Sequence, residues 1–198
     1  MSSQHFYVIT GASGAGKSTL IAALDELGYS TVPEAALAFM REQLERNGKI
    51  LPATDRAAFM EAVLAHSVQD HEAAKSLQAP VFFDRGIPEW LRFLEPSEPN
   101  CQAAARCRYA STVFVAEPWP EIYVRDHERT HSFDRAAKSH VPTIAAYLQS
   151  GYEACVLPNV SVQERVAFVL AQVGAGAQQI AAADRHPATR ARAGYLKR

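Results

Sequence analysis

Cysteine is scarce in this chain of 198 residues. Cys101, Cys107 and Cys155 make an odd count without zinc-like spacing, which argues against a disulfide scaffold and for reduced thiols. The seven histidines include no H-E-x-x-H or similar metal spacing, so they read as surface or structural groups. No sign of charge dominates. Twenty Lys and Arg stand against 21 Asp and Glu, a net charge of −1. That balance excludes a generalised nucleic-acid or membrane surface but leaves room for a local basic cleft. No apolar run approaches the length of a membrane span. Met1-Ser2-Ser3-Gln4 lacks a basic leader, and the apolar stretch after it is too short for a signal peptide, so a cytoplasmic location is expected. Internal repeats are missing too. What is present, 48% hydrophobic and 21% charged residues, suits one domain with a real core.

The most informative segment is Gly11-Ala12-Ser13-Gly14-Ala15-Gly16-Lys17-Ser18, which fits G-x-x-x-x-G-K-[ST]. Its glycines let the backbone wrap so that several N–H groups point inward at phosphate oxygens. Lys17 is long enough to reach the β- and γ-phosphates, and the Ser18 hydroxyl is a ligand for Mg²⁺. A β-branched and aromatic run, residues 5–10, precedes the loop, and a helical pattern from Ser18 and Thr19 follows it. Phosphates would therefore meet a helix N-terminus. The expected nucleotide-binding set is Gly11, Ala12, Ser13, Gly14, Ala15, Gly16, Lys17, Ser18 and Thr19.

Strand-like and helix-like segments then alternate, the signature of a parallel α/β sheet. Strands are expected at 5–10, 29–33, 80–84, 112–116 and 153–158. Helices are expected from Ser18 to near Gly28, over 34–46, from an Asp55 cap to about Leu77, from Pro120 through Tyr123 and Arg125, and from Ser161 onward. Ser161 with Glu164 three residues on forms a capping box. Residues 1–174 form the expected domain. Residues 175–198, rich in Ala, Gly and Gln and then basic, read as a flexible tail.

Further charged residues fall where such sheets bind ligands, beyond the carboxyl ends of the strands. Asp84 ends the third strand and is a candidate second Mg²⁺ ligand, with Arg85 beside it as a phosphate or acceptor contact. A strand-end ion pair is the other reading of that dipeptide. Glu34 follows the second strand; it is either a general base for a substrate hydroxyl or a first-turn helix acid. Arg125 and Arg129, four apart, share one helix side and could cover a triphosphate or pair with surface acids. Arg135 and Lys138 extend that basic stretch. Phe39, Phe82, Trp90 and Phe93 read as core more readily than as a pocket for a flat substrate.

With these residues assembled, the chain resembles the P-loop kinase superfamily. It is similar to small AAA-type predicted ATPases that share a domain family with nicotinamide riboside kinases, through FYVITGASGAGKSTL, VPEAA, FFDRG, PWPEIY and the GYEACVLP…SVQERVAFVL ending. The likeness covers about residues 5–172. It implies a three-layer P-loop NTPase fold, with a mainly parallel five-stranded sheet flanked by helices and a mobile lid. Deoxynucleoside kinases, which are similar, carry a base after the second strand and an acid–Arg pair after the third, matching Glu34, Asp84 and Arg85; lid arginines match Arg125 and Arg129. The section from Glu95 to Cys107 departs from that pattern, with no nucleoside signature. The expected activity is Mg²⁺-dependent transfer of the γ-phosphate of ATP to a small nucleoside-like or cofactor-precursor-like acceptor. The alternatives are a nucleotide-dependent switch with a macromolecular partner and a kinase acting on a larger acceptor. No N-K-x-D guanine reader is present, and Asp25-Glu26-Leu27-Gly28 falls at a helix end, which argues against a GTPase. No nucleic-acid or membrane partner is expected.

Overall fold

The computed structural model describes residues 5–123 and 133–183, the stretch 175–183 as backbone only. Five strands form one sheet: β1 (Phe6–Gly11), β2 (Ser30–Val32), β3 (Val81–Asp84), β4 (Thr112–Ala116) and β5 (Glu153–Val156). Their order is β2-β3-β1-β4-β5, and every pairing is parallel. Seven α-helices are found among the described residues: α1 (Lys17–Glu26), α2 (Ala35–Glu45), α3 (Arg56–Ala73), α4 (Ile87–Leu91), α5 (Glu98–Arg106), α6 (Phe133–Gln149) and α7 (Val162–Ala183). The fold is the three-layer α/β class expected, and the sheet is wholly parallel.

The central strands are buried on both faces, which is why they read as unbroken apolar runs. Alternation along β1 splits the core. Phe6 and Val8 join Val81, Phe83, Val113 and Val115 on one face, under Leu64 of α3, Ile87 of α4 and Tyr147 of α6. Tyr7 and Ile9 join Phe82 and Phe114 on the other, under Leu20, Ile21 and Leu24 of α1 and Val166 and Val169 of α7. Phe39, Phe59, Val63 and Trp90 form a smaller cluster with Phe93 packed at its margin. The four aromatics considered for a substrate pocket are thus core or core-flanking groups.

Three stretches differ from the sequence expectation. The helix expected from Pro120 is a single 3-10 turn over Pro120–Ile122, and Tyr123 leaves it with extended angles, φ −72° and ψ 112°. One turn cannot sustain itself without packing, and the Tyr123 ring instead lies against Gly14 and edge-on to Phe133. Arg125 and Arg129 lie outside the described residues. The helices α4, α5 and α6 were not anticipated. Pro142 sits inside α6, and the buried face of that helix, Ala136, His140, Thr143 and Tyr147, has helical spacing masked by two polar members. Finally, α7 runs to Ala183, beyond Gly174. No helix among the described residues is long and apolar enough to cross a membrane.

The chain places β1, β2 and β3 to one side, then crosses to β4 and β5. The carboxyl end of β1 is therefore the switch point where open α/β sheets bind ligands. Register sets Ile9 opposite Asp84 and Gly11 opposite Ala116 there.

Candidate active site

The loop after β1 is built by close approach. A Cβ on Gly11 (φ +120°) would fall 2.1 Å from the Ala116 carbonyl oxygen, so only glycine fits. Ala12 N–H donates to that same carbonyl at 2.9 Å. Gly16, at φ 78° and ψ 16°, turns the chain into α1 in a left-handed conformation. Lys17 is buried at the first helical position, and its Nζ donates to the Ala12 carbonyl at 2.7 Å. Burial, then the nearby Arg85 guanidinium, pull its pKa down from 10.5 to about 8, against the pull of Asp84, Glu34 and Glu89. The loop and the α1 N-terminus form a ready anion site with a poorly satisfied cation in it.

Ser18 Oγ donates to Asp84 Oδ2 at 3.3 Å, joining the loop to the end of β3. Asp84 is buried, and its Oδ1 has no hydrogen-bond partner among the described residues. Burial, then the Glu34 carboxylate, raise the Asp84 pKa, while Lys17, Arg85 and Ser18 oppose the rise. A hydroxyl and a carboxylate with an orphaned oxygen are the hard donors that Mg²⁺ takes.

Arg85 follows Asp84 with a positive φ of 67°, a conformation costly for a side-chain-bearing residue. Its Nε pairs with Glu34 Oε2 at 2.9 Å, while Nη1 bonds Glu89 Oε1 and the Gly11 carbonyl, the latter at 3.2 Å. Burial works against the Arg85 charge, but Glu34, Glu89 and Asp84 outweigh it and raise its pKa. Glu89 is itself buried on α4, where Thr10 Oγ1 donates to its Oε2 at 2.7 Å. Glu34 stands at the N-cap of α2 without a side-chain capping bond. Its carboxylate pairs with Arg85 and lines the cavity.

One cavity of about 510 Å³ runs from the loop to Glu34 and Arg85, with Asp84 and Glu89 outside its lining. Ser13, Gly14, Gly16, Lys17, Ser18 and Thr19 form its floor, while Gly11, Ala12 and Ala15 are buried behind. Glu34, Leu37 and Arg85 line one end; Trp119, Ile122, residues 160–162 and Arg165 line the other. Arg165 was not anticipated. Its Nε donates to the Pro158 carbonyl at 2.8 Å, Nη1 to the Ala15 carbonyl at 2.8 Å, and Nη2 to Asn159 Oδ1 at 3.1 Å. The guanidinium sits 4.7 Å from the Trp119 ring centroid. Glu89, Thr10 and Trp119 were missed as well. The only sequence signal for Arg165 is a charge beside the apolar stripe of α7. Arg135 and Lys138 are exposed on α6.

Residues 6–165 match a protein family described as an AAA domain. The chain belongs to that family. Its fold is that of the P-loop kinases. A deoxyadenosine kinase from M. mycoides, solved with products dCMP and a flexible dCDP bound, is similar at 16% identity and TM-score 0.58, over 86% of this chain and 99% of that one. A thymidylate kinase from Ehrlichia chaffeensis is similar at 14% identity and TM-score 0.54, over 86% and 98%. A shikimate kinase from Acinetobacter baumannii, in complex with shikimate, is similar at 14% identity and TM-score 0.51, over 86% and 93%. The comparison with curated proteins gave no match.

Proposed function

We propose that this protein is an ATP-dependent kinase that moves the γ-phosphate of ATP to a hydroxyl of a small nucleoside-like or cofactor-precursor-like acceptor. The single observation that carries this reading is the continuous cavity from the phosphate-binding loop to the Glu34–Arg85 pair. In the proposed reaction the acceptor oxygen attacks the γ-phosphorus, its proton passes to a Glu34 carboxylate oxygen, and ADP leaves. The loop N–H groups and Lys17 hold the triphosphate. Ser18 and Asp84 are the residues that would hold Mg²⁺, which supplies charge neutralisation at the β- and γ-phosphates. Arg85 positions the acceptor beside Glu34. Arg125 and Arg129 are proposed to close over the γ-phosphate and exclude water. The catalytic unit proposed is residues 1–174, with residues 175–198 outside it.

The acceptor is proposed to be uncharged at its reacting end, because Arg85 is already matched by two carboxylates. The likeness in fold to kinases of small molecules supports the reaction class. The test is transfer from γ-labelled ATP, with Mg²⁺, to a panel of nucleosides, nucleoside monophosphates and hydroxy acids. A labelled nucleoside-type product is the expected result. Release of free phosphate alone, at a rate no acceptor alters, would favour the switch reading instead.

A further inference from the structure

At the amino edge of the sheet, away from the phosphate-binding loop, three side chains with no common sequence spacing meet. His71 and Glu72 lie near the end of α3, and Cys107 directly follows α5. One ligand atom from each lies within 4.8 Å of the other two. His71 is fully buried at 0% exposure, edge-on to Phe6 and to Tyr109 at 5.1 Å each. Its Nε2 is 2.8 Å from the Arg108 carbonyl oxygen. A carbonyl only accepts, so Nε2 carries the proton and Nδ1 the lone pair. Nδ1 is buried and has no hydrogen-bond partner among the described residues.

An imidazole that donates one N–H to a backbone carbonyl, leaving the other nitrogen bare, is oriented as metal-binding histidines are. Cys107 is 1% exposed, while Glu72 is exposed and gives a way in from solvent. Imidazole, thiolate and carboxylate together suit a borderline-soft cation, whereas Mg²⁺ avoids sulfur.

We propose that His71 Nδ1, Cys107 Sγ and a Glu72 carboxylate oxygen bind one zinc-class divalent cation, tying the end of α3 to the link between α5 and β4. As the sulfur–metal bond forms, the Cys107 thiol proton leaves to solvent, and water takes the fourth position. Glu72 now pairs with Lys75 and, at 3.8 Å, with Arg106. Both contacts are partly solvated and weak, so the carboxylate is free to exchange them for the metal. These two cations reduce affinity without blocking the site.

The test uses the full chain, freed of metal, with Zn²⁺ and then Co²⁺ as probes. One equivalent of Zn²⁺ should raise the melting temperature, in the presence of excess Mg²⁺ as well. Co²⁺ should give a near-ultraviolet thiolate charge-transfer band in the unaltered protein, in Cys101→Ser and in Cys155→Ser, but not in Cys107→Ser. Glu72→Gln, at an exposed position, should weaken Zn²⁺ binding about tenfold or more, since even outer-shell partners have that effect. No band in the unaltered folded protein, a band that survives Cys107→Ser, or Zn²⁺ affinity untouched by Glu72→Gln would each overturn the proposal. If Cys107→Ser does not fold, the spectrum of the unaltered protein and the Glu72→Gln affinity still decide.

Discussion

Two arginines stand at opposite ends of one cavity, and their partners differ in kind. Arg85 is enclosed by carboxylates, Glu34 and Glu89, with Asp84 next in sequence. Among the described residues, Arg165 bonds neutral oxygens: two backbone carbonyls and the Asn159 amide. Among the described residues, the charge of Arg85 is matched by carboxylates, while that of Arg165 meets none. Both are guanidinium groups and remain protonated even where burial lowers the pKa, as it does for Arg165. The difference divides the cavity electrostatically. Positive potential gathers at the loop, from Lys17, Arg165 and the α1 N-terminus. The Glu34 end has none to spare, which is the basis for the proposal of an anion at the loop end and a neutral hydroxyl at the other.

The sharpest way to break this division is Glu89→Ala. It strips one carboxylate from Arg85 and leaves a buried charge half-paired, which costs about 3–5 kcal/mol of stability. Urea unfolding should show that loss, and a change below about 1 kcal/mol would mean that Arg85 does not depend on Glu89. Next in size is Lys17→Ala. Turnover should fall a hundredfold or more, about 3–4 kcal/mol, with circular dichroism and thermal melting preserved, because the lost group is a poorly satisfied buried cation. Unchanged ATP affinity and turnover would remove the loop from the account. Arg165→Met comes third. It should weaken ATP binding by about 1.5–3 kcal/mol, the value of a charge-assisted contact, with the KM for the acceptor unchanged. A shift in acceptor KM instead would reverse the assignment of the two ends.

The smallest effect is on protons. Lys17 in the free protein titrates near 8, against 10.5 ordinarily. Between those values the unfolded chain holds more protons than the folded one, so this group's contribution to stability rises with pH across that window and its penalty is greatest below it. A bound triphosphate should restore the charge. ATP binding at about pH 9 should then take up a fraction of one proton, and affinity should fall as pH climbs past about 8. Calorimetry in buffers of different ionisation enthalpy reads this uptake, and its absence in Lys17→Met assigns it.

The loop was legible because all its parts are consecutive: one strand, one turn and one helix start hold Gly11 to Ser18. Asp84 and Arg85 were legible for a similar reason, since an apolar run that ends in a charge marks the carboxyl edge of a parallel strand. The central strands β1, β3 and β4 showed themselves as apolar runs, while β2 and β5 are short and more polar. The missed groups depend on packing between distant segments. Arg165 lies 150 positions from Ala15, whose carbonyl it bonds. Glu89 belongs to no motif in the sequence and lies in a stretch where no helix is expected, and the left-handed turn at Arg85 precedes the helix that carries it. Trp119 was hidden between prolines that suggested a longer helix. His71 and Cys107 met because α3 and the α5–β4 link pack together, which no spacing rule encodes.

The measurement that bears most directly on the central claim is transfer of labelled γ-phosphate from ATP to a neutral nucleoside-type acceptor, run side by side in the unaltered protein and in Glu34→Gln. The account predicts a labelled acceptor from the unaltered protein. In Glu34→Gln it predicts product formation slowed about a hundredfold or more, with ATP affinity retained. Equal transfer by both proteins would contradict the role of Glu34 in taking the proton. Free phosphate as the sole labelled product, with every acceptor and in both proteins, would contradict the kinase reading itself.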